Sequence, residues 1–283
     1  MDNYKYDPAE TARYFDEFGV GEWNRLVENP VAEVSLHIHS HYLRKHIRAG
    51  MRVLEIGAGA GRFTQVLAGL GARVRVADLS AKQIELNRRH AEQYGFASAV
   101  EGWDTADICD LRAYPDGSFE AVVVYGGPLS YVLDRRDTAL AECLRVLQPG
   151  GVLLLSVMSL WGTAHSALKG VLDVPAENNQ AITRTGDLIP ENLPRRGNAM
   201  HLFRSTELLG WLESAGVELL DLSACFCLSS GWNETLSALR ADEMKWNELL
   251  RMEVEASASP GCVDMGTHII AAQRAEGLIP AAG

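Results

Sequence analysis

The sequence has no long hydrophobic run. Its longest apolar stretch lies near Val152–Val157, far short of the roughly 20 residues a membrane helix needs. It also lacks cysteine spacing of any recognisable kind. Cys109, Cys143, Cys225, Cys227 and Cys262 form an odd set without a C-x-x-C pair. That argues against a disulfide scaffold and a thiolate zinc site, so buried, inert thiols are expected. Basic residues are the minority, 26 Lys and Arg against 37 Asp and Glu, for a formal charge of −11. Such a surface repels nucleic-acid phosphates and anionic lipid, and no run of like charges offsets it. Neither a nucleic acid nor a membrane is expected as partner; a small neutral or cationic substrate fits better. The polar, acidic Met1–Glu10 is unlike a signal peptide, so a cytoplasmic setting is expected. Repeats and low-complexity segments are also missing.

What is present is a change of texture near residue 50. Residues 1–49 read as helical. Asp7 is a plausible N-cap before Pro8, Gly19–Gly21 breaks the first helix, and Pro30 can begin another. Apolar positions 31, 34, 38 and 42 then form one helical stripe. From Arg52 the chain alternates. Arg52–Ile56, Arg73–Ala77, Phe119–Tyr125 and Val152–Met158 read as short buried strands, with helices between them. Ser80 and Gln83 look like a capping box, and Asp134 like the cap of a helix that ends at Pro149-Gly150-Gly151. This alternation predicts a parallel sheet with right-handed crossovers. Beyond Met158 it loosens. Residues 160–204 read as an early helix followed by an irregular stretch, Asp173–Asn198, and act as an inserted cap. Core elements resume from 205 to 283, with a helical insertion at about 233–256.

Between the first strand and its helix lies Glu55-Ile-Gly57-Ala-Gly59-Ala-Gly61. Glycines let a ligand lie against bare backbone, and the following helix start offers free N–H groups. The dinucleotide frame G-x-G-x-x-G fails here, because Arg62 stands where the third glycine belongs.

With this turn the chain resembles the class I S-adenosylmethionine-dependent methyltransferases. The similarity runs through Val53–Thr64, Val74–Asp78, Thr105–Ile108, Asp116–Val124 and Leu147–Gly151, in that order. It covers about residues 50–160, with weaker similarity over 203–273. The resemblance implies an α/β fold: a doubly wound, mostly parallel seven-stranded sheet with a C-terminal antiparallel strand, an N-terminal helical lid (1–49), a cofactor-binding core (50–159) and inserted helices. It implies S-adenosyl-L-methionine as cofactor, with Glu55, Gly57, Ala58, Gly59 and Gly61 at its methionine part. Asp78 would accept the ribose hydroxyls and Leu79 pack on adenine. Asp107 would accept from the adenine amino group, with Asp104 as its rival, and Ile108 would donate to the ring. Tyr125 and Gly126 would lie beside the methyl group, and Tyr14 would close over it from the lid.

The acceptor side is less defined. Displacement at a sulfonium needs mainly orientation and water exclusion, so a general base is optional. His201, Tyr14, Tyr131 and His41 are the candidates, with His165 beside His201. His37 and His41 flank the apolar stripe of their helix while His39 points elsewhere; without further ligands they suggest no metal site. The expected function is in-line methyl transfer to a small molecule. The alternatives are a non-methylating use of the same cofactor, such as cyclisation or elimination, and a non-catalytic binding module. The oligomeric state is left open, a homodimer being one option.

Overall fold

The structure is a computed structural model that describes residues 4–193 and 198–275. The parts of the expected segmentation that fall on 1–3, 194–197 and 276–283 lie outside the described residues. Helices α1 (Pro8–Phe18), α2 (Gly21–Asn24) and α3 (Pro30–His46) precede the sheet. The core runs β1 (Arg52–Ile56), α4 (Arg62–Gly69), β2 (Arg73–Asp78), α5 (Ala81–Gln93), β3 (Val100–Thr105), β4 (Phe119–Val124), α6 (Pro128–Tyr131), α7 (Arg136–Val146) and β5 (Leu147–Met158). The insertion holds α8 (Leu160–Ser166), α9 (Leu168–Leu172), α10 (Ala176–Thr185) and a short ladder of β6 (Asp187–Leu188) with β7 (Met200–His201). The chain then forms α11 (Ser205–Ser214), β8 (Val217–Ala224), α12 (Asn233–Leu239), α13 (Glu243–Ser257) and β9 (His268–Ala275).

The large sheet has seven strands in the order β3-β2-β1-β4-β5-β9-β8. All neighbours are parallel except those of β9, which is antiparallel to β5 and β8. This is the expected doubly wound sheet. Both faces are covered, and alternate residues of one strand serve different cores. Leu54 and Ile56 join Val122 and Val124 on one side; Val53 joins Ala121, Val123 and Val76 on the other. That is why these strands read as continuous apolar runs rather than as polar–apolar alternation. The strand order reverses between β1 and β4, and the crevice at their C-terminal ends is where open α/β sheets bind ligands.

Four expectations change. First, Val100–Thr105 is a strand the apolar pattern did not flag, because it is a half-buried edge. Second, the stretch read as irregular contains α10, whose polar sequence buries only Ile182. Third, Asp134 caps no helix. It lies in a 3-10 turn and accepts from the Tyr6 backbone N–H at 2.9 Å, tying down the N-terminal segment. Fourth, Ser80 caps α5 as expected, but Gln83 does not reach back to it. The Gln83 amide instead donates to the carbonyls of Phe15 and Gly19 at 2.9 and 3.0 Å, fastening α1 over the core. The thiols behave as expected: four are buried, the fifth is partly covered, and none forms a disulfide.

Candidate active site

The floor of the crevice is the turn between β1 and α4, and it is fixed to β2. The N–H groups of Gly57 and Ala58 donate to the Ala77 carbonyl at 2.9 and 3.2 Å. Gly59 N–H donates to Asp78 Oδ2 and Ser80 N–H to Asp78 Oδ1, each at 2.8 Å. Gly57 and Gly59 adopt φ of +69° and +52°, a region L side chains seldom occupy. Neither position tolerates bulk. A methyl group at Gly57 would lie 2.4 Å from Pro128 Cγ, and one at Gly59 would lie 2.8 Å from Glu22 Cγ. These glycines therefore admit α6 and α2 as close neighbours, as well as leaving the cavity wall bare.

One cavity brings together Gly57, Gly59, Asp78, Leu79, Ile108 and Gly126, all expected there, and also Tyr131. The same cavity is closed from above by Tyr6, Thr11 and Phe15, with Glu22 and Arg25 at its side. A second cavity of about 160 Å³ shares Phe15, Glu22, Arg25, Gly126 and Tyr131 with the first and adds Tyr14, Phe18, Met158 and His268. Tyr14 thus faces this second space, stacked on Phe18, rather than the turn.

Other expected contacts fall elsewhere. Glu55 lies beneath the turn, fully buried, and accepts from Thr64 Oγ1 at 2.6 Å. Ala58 packs into the core and Gly61 against Asn87. Asp107 sits behind Tyr6, accepting from its hydroxyl at 3.1 Å and from Cys109 N–H at 2.8 Å. Its rival Asp104 is committed to Arg75 and to the Tyr114 hydroxyl. Tyr125 turns its ring into the core under α3, against His39 and Phe63. His41 is half-buried on α3 beside Tyr42. His39, read as pointing elsewhere, is the histidine that α3 buries; its Nδ1 lies 2.8 Å from the Ser35 carbonyl. The buried face of α3 is wider than a stripe at 34, 38 and 42, and includes 35 and 39. His201 lies in a separate cavity, clamped between Asp187 at 2.7 Å and Glu207 at 2.8 Å. His165 is on α8.

The site is electrostatically strained. Burial pushes the Asp78 carboxyl up to about 6, against the pull of the Gly59 and Ser80 N–H groups, and nearby Glu22 and Asp16 add to the rise. Burial likewise raises Glu55 to about 8 despite its Thr64 bond. Arg25 is ringed by protein, yet Glu22 Oε1 at 2.6 Å outweighs the burial and keeps its charge. His268 is driven well below the usual imidazole range by burial, then by His39 and Arg25, and a bond to the Gly126 backbone offsets this only in part. It is neutral near pH 7. Among the described residues, no three His, Cys, Asp or Glu side chains are grouped to hold a metal ion.

Tyr6, Phe15, Glu22, Arg25 and His268 are site residues that sequence reasoning missed. Only the Glu22–Arg25 spacing, an i,i+3 pair at a helix end, carried a local signal.

The lining of this cavity, which is closed down to about 70 Å³, suits an adenosyl amino acid in three chemical respects. The Asp78 carboxylate keeps acceptor capacity beyond its two N–H bonds and can take ribose hydroxyls. Leu79 and Ile108 offer apolar faces for a base. Glu22 and Arg25 present opposite charges suited to a zwitterion.

Comparison with known proteins agrees. Residues 54–155 match a family model described as a methyltransferase domain. A ubiquinone biosynthesis O-methyltransferase of Xanthomonas oryzae pv. oryzae is 33% identical over 178 residues. That match covers 62% of this chain and 66% of the relative, just under two thirds of its length. The fold matches the [4+2]-cyclase SpnF with a TM-score of 0.61 at 18% identity, over 98% of this chain and all of that one. It also matches the 1,6-didemethyltoxoflavin-N1-methyltransferase of Burkholderia thailandensis with a TM-score of 0.57 at 16% identity, covering 98% and 93%.

Proposed function

We propose that the chain has a class I S-adenosylmethionine-dependent methyltransferase core, with S-adenosylmethionine as its cofactor, and that it transfers the methyl group to an oxygen of a small-molecule acceptor. The observation that carries this reading is the pair of joined cavities. One has the acid, the bare turn and the apolar faces a donor nucleoside needs; the other opens beside Gly126 and is lined by aromatic side chains. Similarity to O-methyltransferases supports oxygen as the acceptor. The unpaired cysteines support a reducing, cytoplasmic setting.

When bound, the cofactor supplies a methyl group already activated on a sulfonium. The chain's work is then to orient and to exclude water. Asp78 accepts from the ribose, while Leu79 and Ile108 hold the adenine ring between them. Arg25 takes the carboxylate of the amino-acid end and Glu22 its ammonium. Helix α1, fastened by Gln83, covers the crevice, and Phe15 and Tyr131 wall the path of the acceptor. Asp107 reaches the adenine amino group only when Tyr6 yields its bond. Residues 4–49 serve as lid; among the described residues, none from 160–204 lines either of these two cavities.

A second reading follows from the cyclase match, which runs through lid and cap as well as core. In it the same site directs a non-methylating reaction. Incubation with methyl-labelled cofactor and a metabolite extract separates the two by mass spectrometry. S-adenosylhomocysteine with a labelled acceptor is expected. Methylthioadenosine, or cofactor consumption without a methylated product, would overturn methyl transfer.

A further inference from the structure

Arg25 and His268 line three cavities between them. Arg25 faces the donor cavity, and both residues face the aromatic cavity beside Gly126. Both also face a third cavity of about 330 Å³ on their other side. This third space lies where the lid, the cap, the segment before α12 and the start of β9 meet. Its lining mixes hydroxyls and amides, among them Ser35, Ser230, Asn29 and Thr267, with the Glu28 carboxylate and apolar Val31 and Phe226; Ser166 reaches it from the cap.

The two outer cavities differ in chemistry. The first is walled by Tyr14, Phe15, Phe18, Tyr131 and the Met158 thioether. A cavity of roughly 150 Å³ accommodates benzene, so its 160 Å³ suits one aromatic ring. The third contains a polar group without a partner. Ser230 is 8% exposed, and its hydroxyl is buried with no hydrogen bond among the described residues. An unmatched buried hydroxyl is unfavourable, and a ligand group in this cavity would relieve it. Between the two spaces, His268 Nδ1 lies 3.3 Å from Thr267 Oγ1, so the imidazole presents one edge to the polar side while bonding the Gly126 backbone. Arg25 beside it is paired with Glu22 at 2.6 Å, and Glu28 also lines the third cavity, so an anion is disfavoured there.

We infer that the acceptor is bipartite: a single aromatic ring carrying the reacting hydroxyl lies in the aromatic cavity, and a neutral hydrogen-bonding substituent passes Arg25 and His268 into the hydroxyl-lined cavity. The inference rests on methyl transfer occurring beside Gly126.

The test uses the full chain saturated with S-adenosylhomocysteine, with calorimetry and ligand-observed NMR. Phenol serves as ring-only probe, and 3-(4-hydroxyphenyl)propan-1-ol adds a polar tail. The expected result is that phenol binds and the tail tightens binding about tenfold. Ser230→Leu removes the tail's increment and leaves phenol affinity unchanged, whereas Met158→Trp weakens both probes. Should Ser230→Leu not fold, Ser166→Leu blocks the same cavity from the cap side. The inference is overturned if phenol does not bind, if the tail adds nothing, or if the Ser variants weaken both probes equally. Failure of the underlying reading looks different: S-adenosylhomocysteine itself would not bind in the first titration.

Discussion

The two sides of the crevice are built in different ways. The floor of the donor side comes from one stretch of chain, β1 to β4, and its parts are held by backbone hydrogen bonds to Ala77 and by the Asp78 carboxylate. The acceptor side is assembled from residues far apart in sequence, among them Phe15, Arg25, Tyr131, Met158 and His268, and side-chain contacts hold it together. A contiguous, backbone-locked floor gives a fixed binding geometry. A side-chain-latched cover can open, close and diverge. The difference predicts that variants in the floor change stability and intrinsic affinity, while variants in the cover change rates of entry and release.

The largest effect is expected at Glu55. Its carboxyl ordinarily titrates near 4.5 and is raised by burial to about 8. The folded state thus keeps a proton that the unfolded state releases. Stability is full below pH 4.5 and falls as pH rises toward 8, a total on the order of 5 kcal/mol. Glu55→Gln should remove this slope and leave the variant more stable than the wild type at pH 8. Urea melts at pH 5 and pH 8 check it; parallel wild-type and variant curves would show that Glu55 is not a buried acid.

Next comes Asp78. Asp78→Ala removes the ribose acceptor and the Gly59 anchor together, and should weaken cofactor binding by about 2–3 kcal/mol. In the wild type, protonation near pH 6 opposes the same bonds. Affinity should therefore hold above that pH and fall, approaching tenfold per unit, below it. Calorimetry across pH 5–8 measures both. A pH-independent affinity would mean that the carboxylate does not meet the ligand.

The contrast between the two sides also explains what could be read from sequence. Strands buried on both faces announce themselves as apolar runs, and the turn needs its glycines at Gly57 and Gly59 because Pro128 and Glu22 approach them closely. Local chemistry and local sequence coincide there, so the sheet and the donor floor were legible. Edge strand β3 and helix α10 were not, since each buries little. Gln83 shows the limit of local reading. Its spacing from Ser80 is that of a capping box, yet its amide serves two lid carbonyls more than 60 residues away. Arg25 and His268 meet only through the fold, as no periodicity links a helix end in the lid to the start of the last strand. His201 looked like a histidine of the donor site and instead lines a separate cavity, hydrogen-bonded to Asp187 and Glu207.

The cover offers two smaller tests. Gln83→Ala deletes both bonds to the lid. Each neutral hydrogen bond contributes about 0.5–1.5 kcal/mol, so lid opening should become roughly tenfold easier. Hydrogen exchange of the α1 amides reads this directly; exchange should quicken there and stay unchanged in β1 and β4. Equal acceleration in both places would erase the distinction between floor and cover.

The smallest effect, and the sharpest, is expected at Tyr6. Its hydroxyl donates to Asp107 Oδ1 at 3.1 Å, the oxygen that Cys109 N–H also uses. On the proposed reading, a cofactor adenine that reaches this carboxylate displaces the Tyr6 side chain lying in front of it. Tyr6→Phe keeps the ring in the cavity and releases the acid. If Tyr6 acts as a latch, the variant should both admit and release the cofactor about two- to tenfold faster, with little change in equilibrium affinity, since the bond lost in the lid is regained by the adenine amino group. Stopped-flow measurement of cofactor association and dissociation distinguishes this from a floor contact. A floor contact would slow nothing on entry, quicken release alone, and weaken affinity by the same factor. That outcome would move Tyr6, and the N-terminal segment anchored by Asp134, from the cover to the floor.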